Sequence, residues 1–169
     1  MTALARMAVG IVVERRKAAS QWIDYTWRPA AILPGQPDAA PWTVLTSDGE
    51  TTTFYAGMAE IELHPVETAN YRDNLTSGAP SVWVSLRATE TEPPYKIVAV
   101  TVDPAEGESY TEAGDDLVDV VPMPDIIRHR LAAFVAEHHV ERPFTKRKRV
   151  EADPEALARR GTGRGNGHK

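Results

Sequence analysis

No cysteine occurs among the 169 residues of this chain. Disulfides, thiolate metal ligands, a thiol nucleophile and an iron–sulfur cluster held by the chain itself are thereby excluded. Long apolar runs are missing too: no segment approaches the roughly 18 residues that a membrane-spanning helix needs. The first residues, MTALARMAVGIVVERRK, are interrupted by Arg6 and again from Glu14. They show neither the apolar stretch nor the small-residue cleavage site of a secretory signal, so the expected location is cytoplasmic. Catalytic signatures are equally scarce. No G-x-G-x-x-G, P-loop, G-x-S-x-G or H-E-x-x-H pattern is found, and no spacing pairs a serine nucleophile with its base. The reading therefore leans away from an enzyme and names no catalytic residue.

What is present suffices for one core. Hydrophobic residues make up 42% of the chain, and the length suits one domain followed by a tail. The domain is expected over residues 8–142. Residues 143–169 are expected to form a basic, largely disordered tail ending in GTGRGNGHK. Charge divides at about the same place. Residues 1–140 hold 20 acidic and 10 Lys/Arg side chains, net −10, whereas residues 141–169 hold 4 and 9, net +5. Such asymmetry suits a tail and a body that attract each other or meet different partners.

Hydrophobic patterning predicts an α+β fold. Ala8 to Lys17 reads as an entering strand, and Trp22 to Leu33 as a second one, in which Pro29 demands an edge or a bulge. Trp42 to Thr46 and Thr52 to Leu63 frame Asp48-Gly49, a hairpin signal, with Gly57 marking a bulge. Val66 to Leu75 reads as a short surface helix. Ser81 to Arg87 alternates cleanly, Tyr95 to Val102 suits a central strand, and Leu117 to Val121 a last strand. A short acidic helix fits Pro104 to Glu112. Ile127, Leu131, Phe134, Val135 and His138 recur at helical spacing and predict an amphipathic helix over about residues 124–140. The expectation is a mainly antiparallel sheet of about six strands, open or barrel-like, packed by this one C-terminal helix.

Few residues suggest chemistry. His138 and His139 are adjacent and diverge by about 100° on a helix, so they do not form a metal pair, and no metal site is expected. The acidic run from Asp103 to Asp119 lacks a calcium-loop pattern and reads as a solvated face, or as a surface for a basic partner or the chain's own tail. Lys146, Arg147, Lys148 and Arg149 form a basic cluster that suits protein docking. Nucleic acid is disfavoured, because the body is acidic and no aromatic side chains interleave with the cluster. Trp27 and Trp42 flank the proline-rich loop and are candidates for an aromatic protein-binding patch.

Several phrases carry a resemblance. GIVVERR, the pair Trp22 and Trp27, RPAAILPG, PWTVL, FYAGMAEIELH, ETANYRDNL, PSVWVSLR, VPMP and PFTKRKR follow one another in order. From about Val9 to Leu157 the chain resembles a bacterial family of unknown function numbered 3305. The resemblance implies genes placed near those of molybdenum-dependent formate dehydrogenase, and member names that refer to molybdopterin-guanine dinucleotide biosynthesis. It supplies no active-site residues. A nucleotidyltransferase would need a glycine-rich loop near its first strand, and GIVVERRK is followed by none.

The expected function is accordingly a non-catalytic accessory or maturation protein. Its expected partner is a formate dehydrogenase subunit or one of that enzyme's maturation proteins. Two alternatives stand beside it. One is binding of molybdopterin-guanine dinucleotide, with Arg15, Arg16, Arg28 and Arg87 as candidate phosphate contacts. The other is nucleic-acid binding through the basic cluster.

Overall fold

The computed structural model describes residues 2–112 and 114–140. The described chain up to His139 belongs to one compact unit. The expected basic tail, with Lys146 to Arg149, lies outside the described residues.

The longest strands pair first. β1 (Ala5–Lys17) lies between β2 (Tyr25–Pro34) and β4 (Thr51–Leu63), and β3 (Thr43–Ser47) completes the sheet in the order β2-β1-β4-β3. All pairings are antiparallel. β2 is an edge strand of this sheet, and its ladder with β1 shifts register beside Pro29, so the proline sits where a missing N–H does least harm. At the β3–β4 turn the Asp48 carboxylate accepts the N–H groups of Thr51 (2.8 Å) and Glu50 (3.1 Å). These donors hold the Asp48 carboxyl below its usual range, Thr51 contributing most. Gly57 has a φ of 134° at the β1–β4 register shift, a conformation that a side chain would strain.

A second sheet has the order β6-β5-β7, built from β5 (Ser81–Ala88), β6 (Tyr95–Thr101) and β7 (Leu117–Pro122). The described fold is therefore α+β with seven strands in two antiparallel sheets. No closed barrel forms among the described residues: β2 runs beside β7 and β4 beside β6 without joining their ladders. The central strand of the second sheet is β5, not the expected Tyr95 to Val102 segment, which lies at its edge. The apolar character of β6 has another cause. Ile97 approaches Gly57 of the first sheet, so β6 has a packed neighbour beyond its own ladder.

The inward sides of both sheets share one core. Val9, Ile11 and Val13 of β1, Ile61 of β4, and Val82, Val84 and Leu86 of β5 are fully buried in it. Each such side chain contributes roughly 1.5–3 kcal/mol on burial. α3 (Asp125–His138) adds Ile127, Leu131, Phe134 and Val135, which recur at helical spacing and so share one face. Pro124 precedes its first turn with extended backbone, and Asp125 suits its positive end.

α1 (Thr68–Leu75) follows a short 3-10 turn and is less superficial than its polar sequence suggests. Thr68, Tyr71 and Asn74 are buried. The Tyr71 hydroxyl accepts the His64 N–H at 3.0 Å, and desolvation pushes its pKa up to about 12. α2 (Pro104–Glu112) starts where the Asp103 carboxylate accepts the Ala105 N–H at 2.9 Å. Glu106 then accepts hydroxyl hydrogen bonds from Thr101 (3.1 Å) and Tyr110 (2.7 Å), tying α2 to β6.

Candidate functional site

Strand alternation decides where the candidate arginines go. Arg15 and Arg16 are neighbours on β1, so their side chains leave opposite faces of the sheet. Arg15 pairs across to Trp27 and shares its face with Val13, whose partner on β4 is Phe54. Register alone thus gathers Arg15, Trp27 and Phe54 at one end of the first sheet.

Two further rings complete the cluster. Trp42 stands just before β3, donates its backbone N–H to the Tyr55 carbonyl, and has a φ of 68°. Tyr95 arrives from the start of β6. Trp27 stacks on Phe54 (5.8 Å between ring centroids), meets Trp42 edge-on (6.3 Å) and touches Tyr95 (5.6 Å). Trp42 also lies 5.8 Å from Phe54. The Arg15 guanidinium carbon is 4.4 Å from the Tyr25 ring centre, 5.2 Å from Phe54 and 5.7 Å from Trp27. Each aromatic pair adds about 0.5–1.5 kcal/mol beyond its buried area, and each cation–π contact about 0.5–1 kcal/mol. The rings therefore support one another, yet the cluster stays in reach of solvent. Tyr25 is 38% exposed, and Arg15, Trp27, Trp42, Phe54 and Tyr95 are half-buried. Trp22 (87% exposed) and Ile23 lie bare in the loop that leads into β2.

The remaining candidates sit elsewhere. On the opposite face of β1, Glu14 is only 12% exposed and receives two arginines. Arg28 donates Nε and Nη2 to its two oxygens at 3.2 Å each, and Arg16 Nη2 approaches at 3.4 Å. Hydrogen bonding to Glu14 raises the Arg28 pKa above its ordinary value. Glu14, Arg16, Thr26, Trp27 and Arg28 line a shallow hollow of about 220 Å³. Arg87, on the second sheet, forks onto Asp116 at 2.9 Å through both nitrogens. The four arginines named as phosphate contacts thus occupy three separate settings. Arg87→Gln is expected to let the Asp116 carboxyl, now held low by hydrogen bonding to Arg87, rise toward its ordinary pKa near ~3.9. A carboxyl titration followed by NMR reads this directly. The native pair favours the fold above the ordinary carboxylate pKa and loses that contribution as pH falls through the lowered one.

The histidines make no constellation. His138 packs its ring on Phe134 (4.6 Å between centroids) and lies 3.6 Å from Glu137, while His139 Nδ1 bonds the Thr68 hydroxyl at 3.0 Å. No group of three or more His, Asp or Glu among the described residues is placed to hold a metal ion. A separate groove of about 580 Å³, lined largely by apolar residues including Leu75, Pro80, Val121 and Met123, opens between the loop after α1, β7 and the start of α3.

Sequence reasoning named Trp27, Trp42 and Arg15 but not Phe54, which touches all three, nor Tyr25 beside Arg15 and Tyr95 beside Trp27. Tyr25 and Trp27 show a usable signal in their spacing, since residues two apart on a strand share a face. Phe54 and Tyr95 come from other strands; the approach of Phe54 depends on register, and that of Tyr95 on the packing of the second sheet against the first.

Comparison with known proteins gives one match. The family model described as "Protein of unknown function (DUF3305)" matches residues 8–148. No curated protein and no solved structure matches the chain.

Proposed function

The chain belongs to the DUF3305 family, and we propose that it is a non-catalytic accessory protein that works by binding another protein. The proposed client is a subunit of a molybdenum-dependent formate dehydrogenase or one of its maturation proteins. The identity of this client rests on the gene neighbourhood that the family resemblance implies.

One observation carries the mode of action: a half-exposed cluster of Trp27, Trp42, Phe54, Tyr95 and Tyr25, packed ring against ring, with the Arg15 guanidinium over three of the rings. Tryptophan, tyrosine and arginine dominate binding hot spots; the two aromatics bury large areas while freezing few rotatable bonds, and arginine offers a planar fork of donors. The rival reading, a site for molybdopterin-guanine dinucleotide, has less support. Arg16, Arg28 and Arg87 are already engaged with carboxylates, and a phosphate would have to compete with them.

Affinity capture by the tagged full chain from cells growing on formate tests the proposal. A dehydrogenase subunit or maturation protein is expected in the eluate. Trp42→Ala is expected to lower its recovery about tenfold or more, the loss typical of a hot-spot ring. Neutralising Lys146, Arg147, Lys148 and Arg149 together measures the contribution of the basic cluster; unchanged recovery removes that segment from the interface. An eluate without any dehydrogenase component overturns the proposed client.

A further inference from the structure

Arg15 differs from the other arginines of the strands. Arg6 reaches Glu60 and Glu62, Arg16 and Arg28 share Glu14, and Arg87 is forked onto Asp116. Arg15 has no carboxylate partner among the described residues, and its charge faces rings instead. A guanidinium that lies over aromatic rings still carries its five N–H donors in its own plane. There a carboxylate can take two of them side by side. Surrounding rings displace water and lower the local dielectric, which strengthens such a pair over one formed in open solvent.

We propose that this end of the first sheet docks a short acidic segment of a partner protein. One carboxylate of that segment forks onto Arg15, and a neighbouring apolar side chain lies against Trp27 and Trp42. This rests on the protein-binding reading above and names the chemistry of what is bound. Charge complementarity sets the sign. On the opposite face of β1, Glu14 binds Arg16 and Arg28, with Asp48 in electrostatic reach of Arg16 and Asp119 of Arg28, so Arg15 is the cation of this end that meets no carboxylate among the described residues. The body sets the size. Residues 1–140 carry a net charge of −10, which repels a long polyanion but leaves a single carboxylate free to reach the cation.

Trp42 supplies an independent sign of a built site. Its φ of 68° is a left-handed conformation that a bulky residue rarely adopts. The strain is held by its N–H bond to Tyr55 and by its contacts with Trp27 and Phe54. Strain of this kind concentrates at binding sites, where it fixes a side chain in advance. Next to Trp42, Val44 and Leu45 are exposed on β3 and extend the apolar rim.

The test is selection of random linear dodecapeptides displayed against the immobilised full chain, followed by synthesis of the selected peptides. Selected peptides are expected to carry Asp or Glu beside an aromatic or aliphatic residue, and to change tryptophan fluorescence on binding. Arg15→Gln is expected to weaken them about tenfold or more, the loss of one charged hydrogen-bonded pair. Arg87→Gln should leave their affinity unchanged. Replacing the peptide's acid by its amide should reproduce the Arg15→Gln loss, and the two changes together should cost no more than either alone. If Arg15→Gln fails to fold, the amide peptide on the native chain still decides. Recovery of basic or neutral peptides, no enrichment, or equal binding to the native chain and Arg15→Gln overturns the proposal. A dehydrogenase component captured equally by the native chain and by Arg15→Gln refutes this docking chemistry and leaves the accessory reading standing. Peptides bound through Arg15 with no dehydrogenase captured do the reverse.

Discussion

Gly107→Ala is expected to lower the stability of the protein by about 2 kcal/mol, although alanine is the better helix former. A Cβ at this position in α2 would lie 2.2 Å from Cγ of Trp83 and 2.5 Å from Cδ1 and Cδ2. Ordinary carbon–carbon contact is roughly 3.5–4.0 Å. The obstacle is the indole ring, at the end joined to its own strand, so it cannot swing aside as a flexible chain end would. Alanine's helix propensity offers about 1 kcal/mol in the other direction. Overpacking of a tight contact costs about 1–3 kcal/mol and sometimes more, and an overlap this deep puts it at the upper end. The clash therefore wins. Urea unfolding monitored by tryptophan fluorescence measures the loss. Trp83→Ala in the same chain, by removing Cγ and everything beyond it, should make the alanine substitution at position 107 neutral or slightly stabilising. Equal or greater stability of Gly107→Ala in the native background would show that α2 does not rest on Trp83.

That contact also shows what alternation can and cannot tell. Val82, Val84 and Leu86 oppose Trp83 and Ser85 in sequence, and in the fold the first three are buried in the core. The local pattern therefore reads correctly along β5. That α2 covers the other face depends on Gly107, an inconspicuous glycine whose role appears only when the helix meets the ring. Pro29 and Asp48-Gly49 were legible for the same local reason, because each constrains its own backbone. The separation into two sheets was not. It follows from pairings between strands far apart in the chain, such as β1 with β4 and β5 with β7.

The candidate site divides along the same line. Period-two alternation already places Arg15 and Arg16 on opposite faces, so their assignment to a common pocket was resolvable from β1 alone. The meeting of Arg15 with Phe54 was not, because it depends on the register between β1 and β4, and that of Trp27 with Tyr95 depends on how the two sheets pack.

Asn74 is the residue whose role was least visible in advance, and its replacement is expected to have the largest effect on the fold. It sits in α1, in a stretch polar enough to be taken for surface, yet it is only 2% exposed. Its amide donates to the carbonyls of Ser81 and Val102 at 2.8 Å each and accepts the Ser81 N–H at 3.0 Å. One side chain therefore ties the start of β5 to the chain leaving β6. Asn74→Leu keeps the branching of the side chain but strands three backbone groups. Each buried, unsatisfied group costs about 1–3 kcal/mol. Ser81 is half-buried and water can restore part of the loss, so about 3 kcal/mol is expected. That is a large share of the 5–15 kcal/mol typical of a domain.

Asn74→Asp sharpens the test, because it preserves shape and reverses the demand on the two carbonyls. Ionised, the new carboxyl could accept from Ser81 N–H but would face both carbonyl oxygens with no donor. Burial and these oxygens should raise its folded pKa above the unfolded value of about 3.9. The sign follows from proton linkage. Relative to the native chain, the deficit should be full above the raised pKa and shrink as pH falls toward about 3.9, where the protonated carboxyl can donate to one carbonyl. Urea unfolding of both chains between neutral pH and about pH 4 should therefore give curves that converge on acidification. Parallel curves would show that the side chain at position 74 does not donate to Ser81 and Val102, and that the junction of α1 with the second sheet is held by other contacts.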